Sequence, residues 1–479
     1  MPMKPTTVVL FGATGDLSRR KLLPGLLHLF QTGLMRDILV VGTSLDEHDR
    51  ESFLDYAHQA VEEFGGDDHD TDGWPEFSKL LHWAPGDTGP EGLRRAIEEA
   101  EGERVGEFDR LHYLSVPPKA ALSVVKELAA AGLVENSRIV MEKPFGTDLA
   151  SARKLNSELH EVFREEQIFR IDHFLGKEAA QNILAFRFAN GLFEPIWHRN
   201  HIDHVQIDIP EELGLDQRAN FYESTGAYRD MVVTHLFQVL AFAAMEPPTA
   251  LEPDAIGEEK NKVFRSMLPI EPHDVVRGQY VGYRDIDGVA HDSETETFVA
   301  LKCYIDNWRW AGVPFYLRTG KRLAEGARII SIAFREPPKS MFPTGSGVGD
   351  HGPDHLTFDL ADEAKMSLSF YGKRPGPGMK LDKLSMQFAM QDTGWAGAVL
   401  EAYERLIYDA ARGDRTLFTT AEGIERLWEI STPLLENPPV VRPYAQGSWG
   451  PNQIHQLVAP FTWRLPFERQ WRKPNEQGS

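Results

Sequence analysis

The sequence predicts two folded parts: a doubly wound α/β domain with a parallel sheet, then a larger α+β domain with a mostly antiparallel sheet. The chain has 479 residues, of which 42% are hydrophobic, and it can therefore form large cores. β-Branched runs alternate with helical patterns through the first third, whereas short stretches of alternating hydrophobicity follow later. We expect the domains to cover residues 1–177 and 178–479.

Strand-like runs in the first third are separated by helical patterns, which is typical of parallel strands joined by crossover helices. The runs are Val8–Phe11, Ile38–Gly42, Leu111–Val116 and Arg138–Glu142. In such sheets, ligands bind outside the carboxyl ends of the strands. Because Gly12, Pro117 and Lys143 fall at those ends, we expect their loops to converge.

The second part begins with a predicted helix over about 179–190, followed by stretches predicted as strands. These stretches are His204–Ile209, Thr297–Tyr304, Ile329–Phe334, Leu356–Leu360 and Lys365–Phe370. Residues 44–78 are acidic and hydrophilic, which predicts a surface helix, and the polar tail from about Arg472 is expected to fray. No internal repeat is visible.

Composition excludes several classes of protein. The net charge of −21 and the lack of a sustained basic stretch argue against nucleic acid or an anionic membrane as partner. The N-terminus has no hydrophobic signal region, and no apolar run reaches the roughly 18 residues of a membrane span, so we expect a cytoplasmic protein. A single cysteine, Cys303, excludes an intrachain disulfide, and the 17 histidines lack His-Glu-x-x-His spacing, so no metal is expected.

Residues 6–24 run from a β-branched stretch through glycines into a helical pattern, which predicts a strand, a tight turn and a helix. Gly12 and Gly15 let the backbone approach a pyrophosphate, and the helix that opens after them directs N–H groups at that anion. This arrangement predicts a Rossmann-like dinucleotide-binding domain. The spacing is Gly-x-x-Gly rather than the full Gly-x-Gly-x-x-Gly, so an ordinary strand-to-helix turn is the alternative.

Residues 170–178 read Arg-Ile-Asp-His-Phe-Leu-Gly-Lys-Glu and place two cations, an imidazole and two carboxylates around a glycine. Arg170 and Lys177 can neutralise a phosphate, and His173 can donate a hydrogen bond to it. Asp172 can orient a second histidine that acts as a general base. The alternative interpretation is a helix start with solvated charges.

Together these segments resemble the glucose-6-phosphate dehydrogenase family, and Met-Glu-Lys-Pro-Phe-Gly at 141–146 matches that family's Glu-Lys-Pro-Phe-Gly signature. Further matching stretches follow in order almost to the C-terminus. They include Gly226 with Arg229-Asp230-Met231, Thr319-Gly320-Lys321-Arg322 and Glu401-Ala402-Tyr403-Glu404-Arg405-Leu406. The resemblance implies oxidation of glucose 6-phosphate at C1 to 6-phosphogluconolactone, the first step of the pentose phosphate pathway, with reduction of NADP or NAD. It also implies a homodimer or homotetramer formed through the large sheet.

The resemblance assigns catalytic roles to two residues. His235 occupies the family position of the general base, and Asp172 would hold its other ring nitrogen and stabilise the imidazolium. Without the family, His235 on an apolar helical stretch would be interpreted as a hydrogen-bonded core histidine.

The same resemblance implies a set of residues that bind the substrate. His173, Lys177 and Lys321 would bind the sugar phosphate, and Lys143 would lie between sugar and coenzyme. Glu211 and Asp230 would accept hydrogen bonds from sugar hydroxyls, a role that suits carboxylates because they offer only acceptors.

Coenzyme binding is expected at the strand ends, through Gly12, Thr14, Gly15, Asp16, Leu17, Leu45, Asp46, Pro117 and Lys143. Leu45 stands where NADP-using members carry an arginine that pairs with the 2′-phosphate. Asp46 follows, and a carboxylate there repels a 2′-phosphate and can bind a ribose 2′-hydroxyl. We therefore predict that NAD is used at least as well as NADP. The alternative is that Arg19 or Arg20 reaches the 2′-phosphate.

Four positions depart from the family pattern. Phe174 replaces a tyrosine, Gly326 a second phosphate-binding cation, Leu360 a glutamine, and Thr234 an asparagine. Each lost charge-assisted contact is worth on the order of 1.5 to 3 kcal/mol, so phosphate affinity is expected to be weaker. Two alternatives follow: the same reaction on another 6-phosphosugar or an unphosphorylated aldose, or a non-catalytic regulatory paralogue.

Overall fold

The computed structural model describes residues 3–65, 73–215, 219–348, 352–361, 365–389 and 400–464, which form two compact units. The parallel-sheet unit consists of residues 1–177, 247–261 and 396–425, and the mixed-sheet unit of residues 178–246, 262–395 and 426–479. The division into domains at residues 177 and 178 stays a prediction. The tail from Arg472 lies outside the described residues.

The parallel-sheet unit contains a six-stranded sheet in the order β3-β2-β1-β4-β5-β6, with all neighbours parallel. Its strands are β1 (Thr6–Phe11), β2 (Ile38–Thr43), β3 (Leu81–Trp83), β4 (Asp109–Leu114), β5 (Ser137–Met141) and β6 (Ile168–Arg170). This order confirms the predicted Rossmann-like, doubly wound fold. Strands β3 and β6 were not predicted, because three residues each are too few to show a period.

The mixed-sheet unit contains a nine-stranded sheet in the order β14-β13-β12-β11-β7-β10-β9-β8-β15. Its strands are β7 (Ile202–Pro210), β8 (Val275–Tyr280), β9 (Phe298–Tyr304), β10 (Pro314–Gly320), β11 (Ile329–Phe334), β12 (His355–Asp359), β13 (Lys365–Lys373), β14 (Leu381–Ala389) and β15 (Arg442–Tyr444). The pairs β7–β10 and β8–β15 are parallel and the other pairs antiparallel, which confirms the mostly antiparallel prediction.

Helices cover the sheets and connect their strands. They are α1 (Leu23–Gln31), α2 (Arg50–Phe64), α3 (Trp74–Phe77), α4 (Gly89–Glu101), α5 (Pro118–Ala130), α6 (Leu149–His160), α7 (Glu178–Phe188), α8 (Ala219–Glu223), α9 (Phe237–Ala244), α10 (Pro253–Ser266), α11 (Ala402–Arg412), α12 (Ala421–Glu436) and α13 (Ile454–Val458). None of the helices in the described part of the chain combines the length and apolarity that a membrane span requires.

The predicted surface helix in residues 44–78 is α2, and it is half-buried rather than polar all round. Asp49 caps its N-terminus by accepting a hydrogen bond from the Ser52 N–H at 2.8 Å. Its buried face includes Phe53, whose ring packs against β2 at Gly42, where a Cβ would lie 2.6 Å from the ring. Apolar residues outnumber charged ones within α2 itself, but the charged residues are in excess over the whole 44–78 stretch, and this excess obscured the buried face.

A buried ion pair joins the two central parallel strands of the mixed sheet. Arg318 on β10 lies opposite Asp208 on β7, and its Nε donates to Asp208 Oδ1 at 2.8 Å while Nη2 bonds Oδ2. Arg318 is 0% exposed and its guanidinium lies 4.7 Å from the ring centroid of Trp463. Asp208 is therefore the carboxylate that compensates the buried charge of Arg318.

We predict that Asp208→Asn lowers the free energy of unfolding of the mixed-sheet unit by about 3 to 5 kcal/mol, because it leaves Arg318 buried and uncompensated. Urea or thermal unfolding measures the change. Asp382→Asn is the matched control, since its partner Arg374 is exposed and the pair should contribute less than about 1 kcal/mol. Equal losses for the two variants would contradict the role assigned to the buried pair.

Candidate active site

The turn after β1 requires glycine. Gly12 has φ +75°, and a Cβ on it would lie 2.2 Å from the Ser115 carbonyl oxygen at the end of β4. The N–H groups of Gly12 and Ala13 donate to the Thr43 carbonyl at the end of β2, at 2.8 and 3.1 Å. The glycine turn therefore draws the carboxyl ends of β1, β2 and β4 together, and its bare backbone leaves a cradle that suits a pyrophosphate.

The helix predicted after this turn begins with a π-helical segment, Ser18–Leu22, that precedes α1. Ser18 Oγ donates back to the Gly12 carbonyl at 2.9 Å. The side chains of Arg19 and Arg20 are engaged by carboxylates, Arg19 with Glu63 at 2.5 Å and Arg20 with Asp16 at 2.7 Å.

The loop after β2 carries the predicted coenzyme-selecting residues. Leu45 is 95% exposed. The Thr14 hydroxyl from the glycine turn bonds the Asp46 carboxylate, and it also bonds Ser44 Oγ at 2.9 Å. Asp46 is therefore tied to the turn, so that its negative charge stays beside the predicted pyrophosphate cradle.

The other predicted coenzyme residues also lie after the carboxyl ends of the parallel strands. Gly15 closes the glycine turn by donating to the Gly12 carbonyl at 2.9 Å, and Asp16 and Leu17 follow it. Pro117 follows β4 and leads into α5, and Lys143 follows β5 through a cis bond to Pro144.

Asp172 lies just beyond the end of β6 and is 1% exposed. Its Oδ1 accepts a hydrogen bond from the Phe174 N–H at 2.9 Å, which fixes the carboxyl group to the backbone. Burial raises the pKa of Asp172 to about 6, while His173, the Phe174 N–H, Lys260 and Lys143 oppose that rise. Burial therefore makes Asp172 harder to ionise than an exposed aspartate, and the neighbouring cations offset part of that cost.

The rest of the 170–178 segment wraps around this carboxyl group. The His173 ring stacks on Tyr403, with ring centroids 6.0 Å apart and planes 9° apart. A Cβ on Gly176 would lie 2.7 Å from the Ala402 carbonyl, so the glycine permits α11 to approach. Arg170 is wholly buried and pairs with Glu165 at 2.9 Å, so it holds the fold together instead of facing a phosphate as suggested above.

Glu142 and Lys143 occupy the neighbouring strand end. The Tyr113 hydroxyl donates to Glu142 Oε1 at 2.6 Å, and burial raises the pKa of Glu142 to about 7. The charge of Lys143 acts on both Glu142 and Asp172. The parallel-sheet unit therefore groups the predicted residues Lys143, Asp172 and His173, with Lys177 in the same segment.

In the mixed-sheet unit, the parallel pairing of β7 and β10 sets two predicted residues side by side. Gly320 pairs with Pro210, so Glu211 and Lys321 are the residues that follow the two strands. Lys321 Nζ lies 2.6 Å from Glu211 Oε2. A cation assigned to phosphate and a carboxylate assigned to a sugar hydroxyl are therefore partners here.

Asp230 and His235 lie on a π-helical segment, Tyr228–Leu236, that runs into α9. Glu296 anchors its start, because Oε1 accepts from the Tyr228 N–H at 3.1 Å. Gly226, with φ +70°, makes room for Glu296, since a Cβ there would lie 2.5 Å from Oε1. Asp230 and His235 are both buried. π-Helical turns are frequent at functional sites, and this one presents the predicted base.

The departures from the family pattern have structural consequences. Phe174 is buried with its ring centroid 4.9 Å from that of His173. The Gly326 N–H donates to Glu212 Oε1 at 2.8 Å, and Leu360 is buried. The Thr234 hydroxyl donates to the Asp230 carbonyl at 2.6 Å. Thr234 is thus engaged within its own helical segment.

Sequence reasoning assigned no role to three residues beside the predicted ones. The Tyr222 hydroxyl is buried without a hydrogen-bond partner among the described residues, and Asp230, Glu296 and Glu211 act on it electrostatically. Lys260 is buried on α10 and acts on Asp172. Glu142 belongs to the Glu-Lys-Pro-Phe-Gly signature, which could have drawn attention to it. Lys260 lies on the charge-rich helix α10, and the sequence does not show which of its charged residues is buried.

Comparisons with known proteins agree with this arrangement. Residues 9–182 match "Glucose-6-phosphate dehydrogenase, NAD binding domain", and residues 184–472 match "Glucose-6-phosphate dehydrogenase, C-terminal domain". A glucose-6-phosphate 1-dehydrogenase of Rhizobium meliloti (strain 1021) is 39% identical, over 96% of this chain and 97% of the relative. Glucose-6-phosphate 1-dehydrogenase 2 of Mycobacterium bovis is 38% identical, over 98% of this chain and 95% of the relative.

Solved structures give the same result. A crystal structure of glucose-6-phosphate 1-dehydrogenase from Mycobacterium avium has a TM-score of 0.87 and 36% identity, covering 97% of this chain and 99% of that one. A structure of glucose-6-phosphate dehydrogenase in complex with its substrate glucose-6-phosphate has a TM-score of 0.88 and 31% identity, covering 97% and 100%. The chain therefore belongs to the glucose-6-phosphate dehydrogenase family.

Proposed function

We propose that this chain oxidises glucose 6-phosphate at C1 to 6-phosphoglucono-1,5-lactone, as the first step of the pentose phosphate pathway. The observation that carries the proposal is the buried Asp172 carboxyl group, anchored to the backbone within the 170–178 motif. An ionisable carboxyl group held beside cations at a strand end suits acid–base catalysis. We also propose residues 1–177 as the coenzyme domain and 178–479 as the substrate-binding and dimerisation domain.

In this proposal His235 is the general base and Asp172 is its orienting partner. His235 takes the proton of the C1 hydroxyl as the hydride leaves C1. Asp172, when ionised, holds the second ring nitrogen, fixes the tautomer and stabilises the imidazolium. When bound, the nicotinamide coenzyme supplies the hydride acceptor.

The proposed substrate contacts divide by chemistry. His173, Lys177 and Lys321 bind the phosphate, and binding energy gained there positions C1 for reaction instead of only tightening the complex. Glu211 and Asp230 accept hydrogen bonds from sugar hydroxyls. Lys321 already has Glu211 as a partner at 2.6 Å, so phosphate binding would compete with or extend that ion pair.

We predict that His235→Asn lowers kcat with glucose 6-phosphate by about 10²- to 10⁴-fold, because proton abstraction loses its base. Steady-state coenzyme reduction measures the change, and Asp172→Asn should also lower kcat. The exposed His291 gives the matched control, His291→Asn, which should keep full activity. Full activity in His235→Asn would rule out its role as the base.

The pH dependence follows from Asp172. Its carboxyl group, with a pKa of about 6, is protonated at lower pH and ionised at higher pH, so kcat/KM should fall as the pH drops through about 6.

We propose that the coenzyme is NADP or NAD, bound at the strand ends by Gly12, Thr14, Gly15, Asp16, Leu17, Leu45, Asp46, Pro117 and Lys143. The glycine turn suits a dinucleotide, because its positive φ and the Ser115 carbonyl oxygen, 2.2 Å from where a Cβ on Gly12 would lie, keep the backbone bare at the strand ends. We further propose that NAD is used at least as well as NADP. Two observations support this: Asp46 is tied to the turn, and Arg19 and Arg20 already pair with carboxylates.

We predict that Leu45→Arg raises the preference for NADP over NAD by about 10- to 100-fold, because it restores a charge-assisted contact to the 2′-phosphate. The ratio of kcat/KM values for the two coenzymes is the measurement. Leu251→Arg, at another exposed leucine of the same unit, is the control and should leave the ratio unchanged. A wild-type preference for NADP with no effect of Leu45→Arg would contradict this account of selection.

We propose that two copies associate through the outer strands of the mixed sheet, giving a homodimer or homotetramer. Leu384, Met386 and Phe388 alternate along the edge strand β14 and are 48%, 48% and 52% exposed. The residues opposite them on β13 are Phe370, Leu368 and Met366, so the two strands share a continuous apolar face. Such a face favours a protein partner. The proposed compartment is the cytoplasm, which suits the single buried thiol of Cys303.

We predict that Phe388→Asp converts the assembly into smaller species, because it places a charge in the apolar face. Light scattering coupled to gel filtration measures the mass. Ser385→Asp adds the same charge to the opposite face of β14 and should leave the mass unchanged. A monomeric wild-type chain would refute the proposed association.

A further inference from the structure

The side chain of Lys260 lies in the interior of the parallel-sheet unit, where it is 3% exposed. Lysines are almost never buried to this degree unless a charge partner holds them there. Its Nζ lies 3.5 Å from the Phe418 carbonyl oxygen, which is too long for a strong bond to a cation. Burial lowers the pKa of Lys260 to about 8, and the charge of the Asp172 carboxyl group opposes that fall.

Three contacts fix Lys260 near the end of β6. The Phe418 ring packs edge-on against Phe169 of β6, with ring centroids 4.8 Å apart. The next residue, Thr419, pairs with Arg170, its N–H donating to the Arg170 carbonyl at 3.3 Å. On the helix side, Asn261 Oδ1 accepts from the Thr420 hydroxyl at 3.0 Å. The residues 418–420 therefore hold α10 against the strand that delivers Asp172.

Asp172 needs a fixed cation because its surroundings favour the neutral acid. Burial raises the pKa of both Asp172 and Glu142, and the charge of Asp172 adds to the rise at Glu142. Lys143 and Lys260 are two cations whose charge acts on Asp172, and His173 lies beside it. Lys143 is assigned to sugar and coenzyme, whereas Lys260 is assigned to no ligand.

We propose that Lys260 is a positioning residue that keeps Asp172 ionised and thereby lets Asp172 hold the base His235. This inference rests on the proposed function, since it needs Asp172 to act in the ionised form. Lys260 contacts neither sugar nor coenzyme in this role, so it acts through Asp172.

The test is the pH profile of kcat/KM for Lys260→Met. Removing a nearby cation raises the pKa of a carboxyl group, so the acid limb should move to higher pH by about one unit. Activity at pH 6.5 should fall about threefold relative to wild type, the loss should approach about tenfold at lower pH, and activity should recover almost fully above pH 8. KM for the coenzyme should change little.

Matched variants separate charge from structure. Lys262→Met removes an exposed lysine from the same helix and should keep the wild-type profile. Lys260→Arg should return the acid limb toward its wild-type position, and added ethylammonium should partly restore Lys260→Ala. An acid limb that stays in place in a folded Lys260→Met protein would overturn the proposal.

Melting temperature is a measurement that does not depend on activity. It therefore remains informative for variants that fold poorly, and it distinguishes failure of the Lys260 proposal from failure of the proposed function. In melting temperature, Lys260→Met should cost less in the Asp172→Asn background than in wild type, because the two charges are coupled. Additive losses would overturn the inference while leaving the proposed function intact. Full activity of Asp172→Asn would instead contradict the proposed pairing of His235 with Asp172. Coupling in melting temperature would then show only that Lys260 and Asp172 interact structurally.

Discussion

A buried carboxyl group at the end of β6 constrains the structure around it. Asp172 is 1% exposed, and a carboxylate can stay charged there only if hydrogen bonds and cations surround it. The Phe174 N–H, His173, Lys143 and Lys260 supply those contacts. They come from three local structures: a turn, a strand end and a helix. The order of elements in the parallel-sheet unit is what brings them together.

The residues proposed for binding and catalysis lie at strand ends in both units. In the parallel sheet, the carboxyl ends of β1, β2, β4, β5 and β6 lie at one edge and hold the glycine turn, the coenzyme-selecting loop, Lys143 and Asp172. In the mixed sheet, the parallel pair β7 and β10 does the same for Glu211 and Lys321. The parallel pairing of β7 with β10 in a mostly antiparallel sheet therefore places two side chains next to each other that are 110 residues apart in sequence.

Much of this was predictable from sequence, for physical reasons. The buried strands β1, β2, β4 and β5 showed short strand-like runs rich in apolar residues, and the turn at Gly12 has a positive φ and a close backbone contact that require glycine. Arg170 was misjudged, because a cation beside a phosphate site and a cation buried against Glu165 look alike in sequence. The π-helical segment at Tyr228–Leu236 and the burial of Lys260 depend on contacts with distant residues, Glu296 and the 418–420 segment, and no local pattern reports them.

The central claim is that the substrate is glucose 6-phosphate and that its phosphate group is recognised. Phe174 and Gly326 replace two phosphate-binding residues of the family pattern, so this claim needs a direct test. The decisive measurement is steady-state coenzyme reduction with glucose 6-phosphate, glucose and other 6-phosphosugars at matched ionic strength. We expect glucose 6-phosphate to have the highest kcat/KM, with glucose lower by at least about 100-fold, the loss of two charge-assisted contacts. Equal or better turnover of glucose, or of another 6-phosphosugar, would contradict the proposed substrate and make those two positions marks of a changed specificity.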